Sequence, residues 1–115
     1  MLTAALTQEN GEQVDSMPFE MTVGLLVADG EKYAQYRAEI APLLKACGGT
    51  FRYDFEIAQT LRSEASHGIN RLFVLQFPDS AAKLRFFGDP QYLEIRARLY
   101  EPSVQGWTTI AEHSS

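Results

Sequence analysis

The sequence predicts an α+β domain: one four-stranded antiparallel sheet with its helices packed on one face. Three observations carry this. Residues 69–77 form an apolar run that ends at Pro78-Asp79-Ser80, which turns the chain and caps a helix. Residues 19–28 form a second such run, followed by apolar residues at helical spacing. Residues 50–60 alternate between apolar and polar, as a half-exposed strand does.

Residues 1–18 are polar beyond the first turn and are read as an N-terminal arm outside the core; Met17 is a conceivable alternative start, and the domain proper is placed at 19–115. In the first strand Phe19, Met21, Val23, Leu25 and Val27 share one face, with Glu20, Thr22, Gly24, Leu26 and Ala28 on the other. Both faces are mostly apolar in its second half, which predicts a central position. Gly24 inside the strand predicts a bulge or a close approach by another group.

A helix then runs from Asp29 or Gly30 to about Cys47, with Tyr33, Tyr36, Arg37, Ile40, Leu43, Leu44 and Cys47 at the spacing of one helical stripe. Pro42 removes one backbone donor and is expected to kink it. Gly48-Gly49 supplies a left-handed stop. In the second strand simple alternation puts Phe51, Tyr53, Phe55 and Ile57 on one face and Arg52, Asp54, Glu56 and Ala58 on the other. A polar loop covers 61–68 and the third strand 69–77. Helices follow at about 79–87 and 90–100, broken by Gly88-Asp89-Pro90. Pro102 ends the second, and the last strand, around Trp107, spans 104–112.

The order is β-α-β-β-α-β. Right-handed crossovers make this the ferredoxin-like sandwich, with the first and third strands central. One helical layer covers only one sheet face, yet the central strands are apolar on both. The area left bare exceeds what a monomer tolerates. Face-to-face pairing of two sheets removes the conflict, so a homodimeric α/β barrel is expected.

Tyr33-x-x-Tyr36, Gly48-Gly49, Phe77-Pro78-Asp79-Ser80-x-Ala82 and Phe87-x-Asp89-Pro90-x-Tyr92 resemble domain-of-unknown-function family 1330 over residues 19–112. Gln91 departs from the pattern, standing where that family often has a glutamate. The resemblance implies membership of the dimeric α/β-barrel superfamily, which includes cofactor-free monooxygenases, small isomerases, haem-degrading enzymes and stress-responsive proteins. It implies no site residues, because its motifs are packing and turn signatures.

Composition narrows the function classes. The 115 residues suit one domain. A net charge of −5 argues against nucleic acid, whose partners cluster Lys and Arg, and disfavours anionic membranes. The longest apolar stretch, 23–28, is far short of the roughly 20 residues that span a bilayer. Residues 1–6 lack the basic start of a secretion signal, so a cytoplasmic location is expected. The single cysteine, Cys47, excludes an internal disulfide and reads as a core residue. His67 and His113, the only histidines, do not make a metal site, and Ser63, Ser66 and His67 lack the third orienting group of a triad. No Gly-rich phosphate loop is present, and no metal or cofactor is expected.

A pocket is expected where the helices meet the sheet. Tyr36, Arg52, Glu56, Arg71 and Gln76 are its candidate residues. Each has a plainer reading. Tyr33, Tyr36 and Tyr92 can be core aromatics. Arg52, Asp54 and Glu56 can be the charges that protect an edge strand. Gln76 can bond to nearby backbone or to Thr22. By alternation Arg71 and Gln76 lie on opposite faces. The function expected is binding of a small apolar or aromatic molecule between sheet and helices. The alternative is a cofactor-free monooxygenase or isomerase acting on a small carbonyl or phenolic compound.

Overall fold

A computed structural model describes residues 17–114. The arm expected over 1–18 lies outside the described residues up to position 16. The elements are β1 (Phe19–Val27), α1 (Gly30–Ala46), β2 (Thr50–Glu56), β3 (Arg71–Phe77), α2 (Ser80–Gly88), α3 (Pro90–Ile95), a π-helical turn (Arg96–Tyr100) and β4 (Val104–Ser114). The sheet is antiparallel with order β2-β3-β1-β4. The fold is the expected ferredoxin-like one, with β1 and β3 central.

Capping explains where the helices begin. The Asp29 carboxylate accepts from the Lys32 amide (3.0 Å) and the Asp79 carboxylate from the Ala82 amide (2.8 Å), so each aspartate satisfies a donor that its helix cannot. Asp89 does the same for α3, with Pro90 in the first turn. Gly48 ends α1 at φ 76°, where a side chain would be strained. Pro42 lies inside α1 at an exposed position, so the carbonyl it leaves without a donor faces water.

The core fills the space between the helices and one sheet face. Met21, Val23 and Leu25 of β1 meet Phe73, Leu75 and Phe77 of β3; Tyr33, Tyr36, Ile40 and Leu44 of α1 cover them. Phe86 lies between Phe77, Phe87 and Tyr92, with ring centroids 4.6–5.8 Å away. Ring pairs at these spacings each add about 0.5–1.5 kcal/mol beyond area burial. Cys47 is half-buried and packs against this core.

β2 differs from simple alternation. Phe51 pairs with Leu75, and Tyr53 with the next residue back, Val74, so Arg52 is an extra residue in a β-bulge. Phe51 and Asp54 therefore share the helix side, and Tyr53 and Phe55 point to the open side, where they are about half exposed and stacked 6.2 Å apart. Tyr53 and Phe55 do not share a face with Phe51, and Arg52 and Asp54 are split between faces.

β2 and β3 are also shorter at their shared end than the sequence suggests. The Asn70 side chain bonds the Val27 amide (2.8 Å) and carbonyl (2.9 Å), replacing strand pairing there. The 57–70 loop then crosses the open face. Ile69 lies against Gly24, where an added Cβ would come within 2.9 Å of it. This is the close approach that Gly24 predicted. The His67 ring lies against Gly106 and bonds Thr108 Oγ1 at 2.9 Å.

Candidate functional site

A cavity of about 350 Å³ lies between the helix side of the sheet and the helices. Its walls are mainly aromatic and aliphatic, from Met21, Val23, Phe51, Phe73, Leu75, Phe86 and Phe87. The tyrosines and one arginine come from two places. Tyr33 and Tyr36 extend from α1, spaced on the same stripe as Ile40 and Leu44. Tyr92, Arg96 and Tyr100 extend from α3 and the π-turn. The Glu101 amide reaches back five residues to the Arg96 carbonyl at 3.0 Å. That wider turn keeps residues four apart on one side of the helix, so all three line the cavity.

Tyr36 and Tyr92 are about 5% exposed, and their hydroxyls are 3.0 Å apart. Burial pushes the Tyr36 phenol far above its ordinary value, with the neighbouring Tyr92 adding to the effect. Burial also raises Tyr92 and Tyr100. These phenols stay neutral and act as hydrogen-bond donors and acceptors, not as bases. Two hydroxyls carry two protons, and their mutual bond uses one. The other has no protein acceptor among the described residues. A buried donor of this kind requires a partner.

Three charged side chains border the cavity: Lys83, Glu112 and Arg96. Lys83 Nζ and Glu112 Oε1 are 3.7 Å apart. The Arg96 guanidinium lies 5.5 Å from the centre of the Tyr100 ring. Trp107 and Thr109 of β4 complete the wall.

Of the five sequence candidates, Tyr36 lines this cavity. Arg71 and Glu56 border a separate hollow beside Gly30 and Asn70. Arg71 also bonds Asp54 twice, at 2.9 and 3.0 Å, and Arg37 of α1 bonds Asp54 at 2.7 Å. Arg71 first, then Arg37, hold the Asp54 carboxyl below the usual carboxylate range. The Arg37 guanidinium also lies 3.7 Å from the Phe51 ring centre. This network ties the edge strand to α1.

Arg52 and Gln76 are on the open face and converge on Glu20, which is 8% exposed. Gln76 donates to Glu20 at 3.0 Å, Arg52 pairs with the same carboxylate, and His113 Nε2 is 3.6 Å from it. Gln76 thus bonds a carboxylate, not backbone or Thr22. Sequence reasoning did not single out Glu20, Arg96 or Tyr100. The i, i+4, i+8 spacing of Tyr92, Arg96 and Tyr100 was the available signal. No group of His, Cys, Asp or Glu among the described residues could hold a metal ion, and none of their helices is long and apolar enough to cross a membrane.

The family model for a domain of unknown function (DUF1330) matches residues 22–111. The chain belongs to this family. The fold of this chain is also seen in solved structures of low sequence similarity. A protein of unknown function from Rhodopseudomonas palustris is 18% identical, with a TM-score of 0.74 over 87% of this chain and 83% of that one. A putative antibiotic biosynthesis monooxygenase from Caulobacter crescentus is 13% identical, TM-score 0.59, over 90% and 94%. A dimeric ferredoxin-like protein of unknown function from Thermobifida fusca is 11% identical, TM-score 0.56, over 87% and 92%. At these identities the likeness shows the fold. Comparison with curated proteins gives no match.

Proposed function

We propose that this DUF1330 protein is a homodimer that binds a small apolar or aromatic molecule, bearing an acceptor oxygen, in the cavity between sheet and helices. The observation that carries the reading is the spare phenol proton of the Tyr36–Tyr92 pair, buried in an apolar cavity. A carbonyl or phenolic oxygen is its natural partner. The cavity volume is near the lower end of the roughly 300–1,000 Å³ of small-molecule sites. Dimerisation rests on the open face, where Tyr53 and Phe55 stand half exposed beside Leu72 and Val74. The Thermobifida protein of the same fold is dimeric, which supports self-association. The lone free thiol of Cys47 fits a reducing, cytoplasmic setting.

A second reading, a cofactor-free monooxygenase or isomerase acting on a small carbonyl or phenolic compound, draws on the same neutral phenols, which could polarise a carbonyl. It has less support. The one carboxylate on the cavity wall, Glu112, sits near Lys83 and is partly exposed, and proton abstraction needs a base within reach of the substrate.

Native mass spectrometry of freshly purified protein tests both parts of the leading reading. The expected species is twice the 12.9 kDa chain, carrying a small molecule. Trp107 is the only tryptophan and lines the cavity, so acetophenone should quench its fluorescence saturably. A monomeric, empty protein with no saturable quenching would end the reading.

A further inference from the structure

The cavity is positive inside an acidic protein. The chain carries −5 overall, yet two cations and one carboxylate border the cavity. Lys83 and Glu112 face each other at 3.7 Å and largely offset. Arg96 has no carboxylate partner and no hydrogen-bond acceptor among the described residues; its one contact of note is the Tyr100 ring at 5.5 Å. A guanidinium offers five donors in a planar fork suited to carboxylates. Here it is partly buried and held on the cavity wall by the π-turn, in line with Tyr92 and Tyr100. Of the other six arginines, Arg37 and Arg71 pair with Asp54, Arg52 with Glu20, and Arg98 with Glu39 and Glu94, while Arg62 and Arg85 are exposed to solvent away from the cavity. Arg96 differs from them in facing the cavity.

We infer that the cavity ligand is an organic monoanion, an aromatic or short aliphatic acid, with its apolar body among the core aromatics and its carboxylate on Arg96. This rests on the reading of the cavity as a small-molecule site, and it narrows the ligand class. The apolar walls supply burial, and the Tyr36–Tyr92 pair offers one donor for a second oxygen. The Lys83–Glu112 pair closes the side beside β4. Repulsion by Glu112 is offset by Lys83, so the field at the cavity is set by Arg96.

Phenylacetate and phenylacetamide, a near-isosteric anion and neutral pair, test this. Affinities are read from Trp107 fluorescence and from amide chemical shifts around the cavity, at pH 7 and low salt. Wild type should bind phenylacetate about tenfold or more tighter than the amide, since a charge-assisted pair outweighs a neutral bond. Added salt should erode that advantage. Arg96→Gln should bring the ratio close to one, while Arg96→Lys keeps much of it; circular dichroism checks that both variants fold. If wild type binds the two probes equally, the anion inference fails and the cavity reading stands. If Arg96→Gln keeps the full preference, Arg96 is not the counter-ion and the inference is likewise overturned. If neither probe shifts any cavity signal at about 10 mM, far above the roughly millimolar affinity of weak ligands, the cavity reading falls and takes this inference with it.

Discussion

Replacing Asp54 with asparagine should be among the more damaging single-atom changes on the partly exposed surface. Asp54 accepts three charge-assisted bonds, one from Arg37 and two from Arg71. Asparagine with its oxygen in the Oδ2 position can keep two of them, from Arg37 and from the Arg71 Nη2, but without the carboxylate charge, and it loses the Arg71 Nε bond. Each bond to a charged group contributes about 1.5–3 kcal/mol when buried. The Asp54 side chain is 30% exposed, so solvent screening pulls the value toward the low end. One lost bond and two that lose their charge assistance then cost about 2–3 kcal/mol together, and Arg37 and Arg71 are left as like charges without their shared counter-ion. For a domain of this length that lowers Tm by roughly 8–12 °C. The pH dependence is the sharper test. The folded Asp54 pKa lies below its unfolded value, which is about 3.9. Its contribution is therefore full above that value and is lost as pH falls through the folded one. The wild type should lose this stability in acid, and the variant should lack that part of the slope. Urea unfolding of both proteins, at one protein concentration from pH 7 to pH 3, measures it. A variant within about 0.5 kcal/mol of wild type at pH 7, with the same acid slope, would refute the account.

Three further outcomes are expected. Phe86→Ala should cost about 3–5 kcal/mol in chemical unfolding, because the ring is 1% exposed and touches three other aromatics. Tyr36→Phe and Tyr92→Phe should each leave acetophenone affinity nearly unchanged, within about 1.5-fold, since the surviving hydroxyl still has its proton to donate. The double variant should lose up to about tenfold, the value of one hydrogen bond; additive losses would argue against the shared-proton arrangement. Phe55→Asp should leave the protomer folded by circular dichroism and turn the dimer into monomer in sedimentation velocity, and an unchanged sedimenting mass would place the contact elsewhere.

The parts legible in sequence were those governed by local rules. Pro78-Asp79-Ser80 read as a cap, and Asp29 and Asp89 as points where a helix starts or breaks; all three aspartates cap helices, the use a short carboxylate has before a helical run. The division of β1 and β3 residues between two faces followed from alternation, but which face meets the helices did not, because both faces of the central strands are apolar. Tyr36 was legible as a pocket candidate from its place on the α1 stripe. The remaining site residues depend on registers between segments far apart in the chain. That Gln76 meets Glu20 follows from the pairing of β1 with β3, 56 positions apart. That Arg96 and Tyr100 face the cavity depends on a π-turn, which leaves little mark on hydrophobic spacing. The Asn70 side chain, occupying the end of β1, has no periodic signature at all.

The bulge at Arg52 has an unusual bearing on how this strand tolerates changes in length. Removing one residue from a strand ordinarily inverts every side chain beyond the gap. Here Phe51 and Tyr53 already oppose consecutive partners, Leu75 and Val74. Excising Arg52 would join them into a regular ladder, with Asp54 still under α1 and Tyr53 and Phe55 still on the open side. Insertion of a residue nearby, or pairing that absorbed Arg52 into the ladder, would do the reverse and drive Asp54 away from its two arginines. A shorter β2 is thus an allowed variation on this fold, at the expense of the Arg52–Glu20 pair and the Arg52 contact with the Tyr53 ring, whereas a longer one is not.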